Sequence, residues 1–188
     1  MTSKLKALTI WQPWASLIIA GAKPFEFRSW PTPTWMQGKR IVIHAGSRPI
    51  RRTEVEDLQR RLFDPAFEQD RWTTGLHPDK AEGILRRAWL QSGNSRAKDQ
   101  SHDLLFDGTG AAFDPLPLAA GLGTAILGAA INGFDACEIF GHRINDSDRS
   151  EHANFAWPLT EIDTWSEPIT CKGAQGFWNW PQFDEAMF

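Results

Sequence analysis

Tyrosine is absent from the 188 residues, and only two cysteines and three methionines occur. Cys137 and Cys171 stand far apart and form no C-x-x-C pair, which argues against a disulfide framework and a cysteine zinc site. A reducing compartment, the cytoplasm, is therefore the expected location. The five histidines (His44, His77, His102, His142 and His152) show no H-x-x-x-H spacing, so no metal site and no resident cofactor is expected. Cys137 with His142 has the residue types of a nucleophile pair, but a lone buried thiol is the commoner use of cysteine.

A convincing membrane segment is missing too. Residues 115–134 are free of charge and of about bilayer-spanning length. They contain Pro115, Pro117, four glycines and Asn132, and read instead as a loop leading into a buried strand. The first 22 residues imitate a signal peptide, with Lys4 and Lys6 ahead of an apolar run and Ala20-Gly21-Ala22 as a small-residue site. Gln12-Pro13 interrupts that run, and the same residues fit a strand followed by a capped helix. No membrane partner is expected.

What the chain has in excess is large aromatics, ten Trp and twelve Phe. Trp offers a broad π face and one N–H donor, so it serves either as a core anchor or as a platform for bases. Net charge is only −3, yet it is uneven along the chain. Residues 1–48 set seven cations against the single acid Glu26, a net of +6, while residues 111–188 set Arg143, Arg149 and Lys172 against eleven acids, a net of −8. Such asymmetry focuses an anionic ligand on one face if the halves stay apart in space, and cancels if they intermix.

Hydrophobic periodicity gives a strand over Lys6–Trp11, then a helix from Trp14 to Ala20 with Pro13 in its first turn and Gly21 as its C-cap. Phe25 and Phe27 alternate with Glu26 and Arg28, so the charged pair shares one strand face, and Pro31 and Pro33 end the strand. Arg40–His44 is the next strand. Thr53 with Glu56 has the form of a capping box for a helix to about Phe63. Pro78-Asp79 opens another helix with Ile84, Leu85, Trp89 and Leu90 on one stripe. Strand character resumes over Gly123–Phe134, Phe155–Leu159 and Gly176–Trp180. Residues 49–118 read as an insertion, partly helical, with a loop over Gln91–Gly110. The expected fold is α+β, a mostly antiparallel β-barrel with flanking helices, in one domain over residues 1–188.

The densest constellation of chemically useful side chains is Gln12, Trp14, Lys23, Glu26, Arg28, Ser29, Trp30 and His44. A carboxylate two residues from a guanidinium on one strand face orients it and leaves donors free for phosphate or a base edge. The plainer reading is a surface lysine and a structural Glu–Arg pair, with the tryptophans as core anchors. Asp146, Asp148 and Glu151 are grouped carboxylates of the type that hold Mg²⁺ or Ca²⁺. They lack the ligand ladder of a calcium loop and read as a solvated acidic loop. Gly121-Leu122-Gly123 followed by Gly128 is not placed between a strand and a helix as a dinucleotide fingerprint requires.

The blocks L-T-I-W-Q-P-W-A-S-L-I-I-A-G-A-K-P-F-E-F-R-S-W, I-V-I-H-A-G, G-A-A-I-N-G-F, F-A-W-P-L and G-A-Q-G-F-W-N-W occur in this order. Together they resemble the successive blocks of the ASCH family, covering the chain outside the insertion. The resemblance implies a PUA-like fold with the G-x-K-x-x-E-x-R segment at a cleft for RNA. Relatives include a transcription-coactivator component, enzymes that deacylate N4-acetylcytidine, and metal-dependent ribonucleases. The deacylases' catalytic Lys corresponds to Lys23, but the position of their catalytic Thr holds Glu26 here.

Three roles follow as expectations. The first is a binding module for RNA or a modified nucleoside, using Lys23 and Arg28 with a stacking Trp. The second is a hydrolase on the same cleft, an N4-acylcytidine amidohydrolase or a ribonuclease using a divalent metal, with Lys23 and Glu26 as catalytic residues. The third is a scaffold whose 49–118 insertion docks a protein partner through Trp72 and Trp89.

Overall fold

The structure, a computed structural model, describes residues 4–93, 105–106, 112–140, 144–149, 152 and 154–181. Its centre is one curled sheet. β1 (Lys6–Ile10) lies parallel to β3 (Lys39–Ala45), with Lys6 opposite Ile41 and Ile10 opposite Ala45. β3 runs antiparallel to β6 (Ala120–Leu127), β6 to β8 (Phe155–Thr170), and β8 to β2 (Phe25–Arg28). β9 (Phe177–Asn179) covers the outer edge of β1, and β7 (Ile131–Asn132) adds to β8. The hydrogen-bonded order is β2-β8-β6-β3-β1-β9. A separate two-stranded ribbon pairs β4 (Leu105–Phe106) with β5 (Ala112–Phe113).

The sheet thus forms a half-barrel, with β2 and β9 at the ends of its path. Register shifts at Ile43/His44, Gly121/Gly123 and Thr124/Ile126 supply extra twist, as bulges do. Gly123 is required at one of them, because a Cβ there would sit 2.3 Å from the Asp163 carbonyl oxygen. Across the concave side, Trp157 of β8 and Phe177 of β9 stack with centroids 5.9 Å apart.

Four helices pack around the sheet. α1 (Trp14–Ile19), α2 (Arg52–Phe63) and α3 (Pro78–Gly93) bury Leu17, Ile18, Val55, Leu58, Leu62 and Leu85 in the same cluster as Leu8, Ile41, Ile43 and Ala125 of the sheet. Gln91 of α3 ties in the returning chain, donating to the Leu116 carbonyl at 3.1 Å and accepting its N–H at 2.7 Å. α4 (Gly133–Phe140) begins where the Asn132 side chain accepts the N–H groups of Phe134 and Asp135, both at 3.0 Å. Among the described residues no helix is long and apolar enough to cross a membrane.

Several local expectations change. The Thr53/Glu56 capping box does not form: the N-cap of α2 is Arg51 without a side-chain bond, and Glu56 instead accepts from Arg52 Nε at 2.9 Å. The buried stripe of α3 runs through Ala81, Leu85, Ala88 and Gln91, leaving Trp89 outside beneath the Arg52 guanidinium at 4.0 Å. Gly133 and Phe134 belong to α4 rather than to a strand, because of the Asn132 cap. β8 extends eleven residues past Leu159, through polar residues and Pro168, because β6 pairs with it as far as Thr170. Most of the expected Gln91–Gly110 loop lies outside the described residues.

His44 sits fully buried at the β1–β3 seam. Its Nε2 donates to the Cys171 carbonyl at 2.8 Å, so in the neutral ring Nδ1 accepts from the Thr9 hydroxyl at 3.3 Å. Thr9 Oγ1 in turn accepts from Trp178 Nε1 at 3.0 Å. Gly173 lies directly on the ring, where a Cβ would come within 2.5 Å of His44 Cε1. Burial holds the imidazole pKa below its ordinary 6.5, and the bond to the Cys171 carbonyl offsets part of that shift. A depressed pKa means that the unfolded chain binds the proton more readily. Its stabilisation is therefore present above the ordinary value and lost as pH falls through the lowered one. Urea midpoints should drop on acidification below about pH 6.5, and His44→Gln should flatten that slope; an unchanged slope in the variant would exclude His44 as its source.

Candidate functional site

The site begins at the end of α1. Gly21 takes φ +67°, and the amides of Ala22 and Lys23 both turn back to the Leu17 carbonyl, at 2.8 and 3.0 Å. This tight turn carries Lys23 into the interior, where the residue is 1 % exposed. β2 follows at once, with Glu26 opposite Trp157 and Arg28 opposite Phe155. Glu26 Oε2 lies 3.5 Å from Lys23 Nζ, and Glu26 Oε1 accepts from Arg28 Nη2 at 2.8 Å. The Lys23 ammonium also lies 4.6 Å from the centre of the Phe27 ring.

The fourth member comes from far along the chain. Asp146 is buried, and its Oδ2 accepts a hydrogen bond from Lys23 Nζ. Its loop is held in place by three other elements. Trp14 Nε1 donates to the Asp146 carbonyl at 3.1 Å, the Asn145 amide donates to the Thr73 carbonyl at 2.9 Å, and Arg61 of α2 donates to the Asn145 carbonyl at 2.6 Å. Burial pushes the Asp146 carboxyl above its ordinary range; the Lys23 charge pulls it down, and the neighbouring Glu26 charge pushes it up again.

The solvated acidic loop expected over Asp146, Asp148 and Glu151 is therefore corrected at its first member. Asp146 points into the core because a buried lysine needs a counter-charge, while Asp148 is exposed and Glu151 lies outside the described residues. No group of three metal-type side chains gathers among the described residues. The sequence signal for Asp146 is faint, being only one acid among many in an acidic segment.

Above this floor opens a cleft of about 940 Å³. Trp14, Lys23, Glu26, Arg28, Trp30 and His44 all line it, together with Asp146, Trp11 and the 170–176 segment. Gln12 and Ser29 are not part of the lining. The Gln12 amide is spent inside the fold, accepting the Ser16 N–H at 3.1 Å and donating to Ser16 Oγ at 2.8 Å and the Pro117 carbonyl at 2.9 Å. Ser29 is half-buried beyond the end of β2. Trp14 lines the cleft with its N–H already given to Asp146.

Trp30 is 45 % exposed and Trp11 37 %, so each has ring surface free for a ligand. The Arg28 guanidinium lies 5.6 Å from the Trp30 ring and 5.9 Å from the Trp157 ring. Its Nε is buried without a partner. The floor is formally neutral, with Lys23 and Arg28 against Glu26 and Asp146, and the exposed Arg149 and Lys172 add positive charge at the rim. Cys171 also lines the cleft, but burial raises its thiol pKa and makes it a weak nucleophile. The arrangement suits recognition of a flat, polar ligand by stacking and hydrogen bonding more than covalent attack.

The model of the ASCH domain matches residues 8–85, from β1 to the middle of α3. No curated protein matches the chain. The matched stretch contains Lys23, Glu26, Arg28 and Trp30, while Asp146 and the 170–176 wall of the cleft lie beyond it. Over residues 8–85 the chain is thus similar to the ASCH domain.

Proposed function

We propose that the cleft binds RNA, receiving a base or modified nucleoside against Trp30 with its polar edge toward Arg28 and Glu26. The observation that carries this reading is the exposed Trp30 ring beside the partly exposed Arg28 guanidinium, which the Glu26 carboxylate holds in place. An aromatic face stacks any base, at about 1–3 kcal/mol per base. A base carbonyl or ring nitrogen accepts from the exposed part of the guanidinium, and Glu26 accepts from an exocyclic amino group. RNA binding is also the role proposed for ASCH domains. In the same reading the half-barrel is a PUA-like barrel, residues 1–188 form one unit acting in the cytoplasm, and 49–118 is its site for a protein partner.

A hydrolase on the same cleft is the second reading. The contact between Lys23 and an Asp146 carboxyl of raised pKa favours it, since an amine and a carboxyl in contact can pass a proton. Against it stands Glu26, a carboxylate already bound to Arg28, where the resemblance to deacylases requires a hydroxyl nucleophile.

Replacing Trp30 or Arg28 by Ala should weaken single-stranded RNA roughly 5- to 150-fold, the equivalent of one lost stack. Fluorescence titration would read this, and undiminished affinity in both variants would refute the proposed pose. Mass spectrometry after incubation with N4-acetylcytidine, or with mixed RNA and Mg²⁺, should show no product. Product that vanishes in Lys23→Ala would establish the hydrolase instead. Lys23→Met alone should cost about 3–5 kcal/mol by leaving Asp146 buried without its ammonium, whereas Lys23→Met/Asp146→Leu together should recover much of that stability. Additive losses in urea titrations would show that the two groups do not act as a pair.

A further inference from the structure

The Trp30–Arg28–Glu26 arrangement has a counterpart around Trp11, a second ring of the cleft lining, although the arginine and carboxylate there, Arg48 and Glu54, are not themselves lining residues. Trp11 follows β1 as Trp30 follows β2, and both rings line the same cavity. The Arg48 guanidinium lies 3.7 Å from the centre of the Trp11 ring and is fixed by Glu54, with Nη1 to Oε1 at 3.0 Å and Nη2 to Oε2 at 2.5 Å. Like Arg28, Arg48 keeps a buried Nε with no partner. Among the described residues only three buried side-chain polar atoms lack one, and two of the three belong to these tryptophan-stacked arginines.

The two stacking sites are not neighbours. β2 pairs with β8 and β1 with β3 and β9, so Trp30 and Trp11 follow strands that are not hydrogen-bonded neighbours and offer two separate ring surfaces in one cavity. Charge differs between them as well. The acids of the lining, Glu26 and Asp146, belong to the Lys23 cluster. The Trp11 ring instead has the exposed Arg149 at 4.9 Å. Lys172 stands next to Gly173, which packs on Thr9 and His44 close to Trp11. A stacking ring beside the exposed Arg149, with both acids of the lining engaged by Lys23 and Arg28, fits a base flanked by phosphate.

We infer that the cleft takes a single strand of at least two nucleotides, one base on Trp30 and a second on Trp11, with the intervening phosphate met by Arg149 and Lys172. This rests on the RNA-binding reading and extends it from a nucleoside to a strand. Arg149, 4.9 Å from the centre of the Trp11 ring, turns from the ring to the phosphate when the second base arrives.

The test compares uridine monophosphate with di-, tri- and tetra-uridylates by calorimetry, on the intact chain and on Trp11→Leu, which keeps bulk at Gly46 and removes the π face. Affinity should rise about 5- to 150-fold from mononucleotide to the longer strands. Trp11→Leu should abolish that gain, so that the variant binds mononucleotide and tetramer alike, and a circular dichroism spectrum and urea midpoint like those of the intact chain show that the variant is folded. Equal affinity at all lengths, or an equal loss for mononucleotide and tetramer in the variant, would overturn the two-base site and leave the Trp30 pose standing. A deoxy-tetramer bound as tightly, with the same dependence on Trp11, would support the two-base geometry and refute RNA as its target. Binding of none of these would refute both.

Discussion

A buried ammonium must find a carboxylate, and in this protein that requirement joins the two ends of the chain. Lys23 is carried inward by the turn after α1, and the partner that reaches it is Asp146, 123 residues away. Removing Lys23 would leave Asp146 buried without its ammonium, a penalty of several kcal/mol. The pair therefore fixes the loop before β8 against α1 and β2, and with it one wall of the cleft. Glu26 completes the chain by touching Lys23 on one side and holding Arg28 on the other. Because Asp146 satisfies Lys23, Glu26 is left to orient Arg28, which is how a group at the floor sets the pose of a group that faces the cleft.

The strong charge asymmetry of the sequence does not survive folding as two opposed faces. The sheet interleaves N-terminal and C-terminal strands, with β3 and β1 beside β6 and β8, so cations of the first segment meet partners from the last. Arg40 pairs with Glu161 at 3.1 Å, and Lys6 donates to Asn179 at 2.7 Å. Positive charge at the rim of the cleft comes instead from Arg149 and Lys172, two of the few cations in the acidic segment. A count along the chain cannot reveal this, since it depends on which strands become neighbours.

The elements near the N-terminus were legible because their signals are local. Alternation marks β1 and β2, Gly21 marks the end of α1, and the apolar run Ile41–Ile43 marks β3. The lining residues Lys23, Glu26, Arg28 and Trp30 were legible for the same reason, being packed into eight positions beside one turn. Asp146 was not, because its burial is decided by a lysine in another segment. The second half of β8 was hidden in the same way: its polar residues and Pro168 argue for a loop, and only pairing with β6 makes them a strand. Gln12 shows the converse error of reading a polar residue beside a motif as available. Its amide is consumed in bonds to Ser16 and Pro117 that hold the start of α1.

The helical pair α2–α3 bears on the site through one residue. Arg61 lies on the last turn of α2, bonds Thr73 Oγ1 at 3.0 Å, and gives its strongest contact to the carbonyl of Asn145, immediately before Asp146. Asn145 also folds the loop on itself, donating to the Arg149 carbonyl at 2.7 Å and accepting from the Ser147 amide at 3.1 Å. A shift of α2 would thus move Asn145, and with it both the carboxylate that holds Lys23 and the backbone that presents Arg149 at the rim. Since Val55, Leu58 and Leu62 anchor α2 in the core of the sheet, that shift is resisted by the same packing that stabilises the fold. Floor and rim of the cleft are consequently set by one support, and a ligand that engages Arg149 acts on the same loop that carries Asp146.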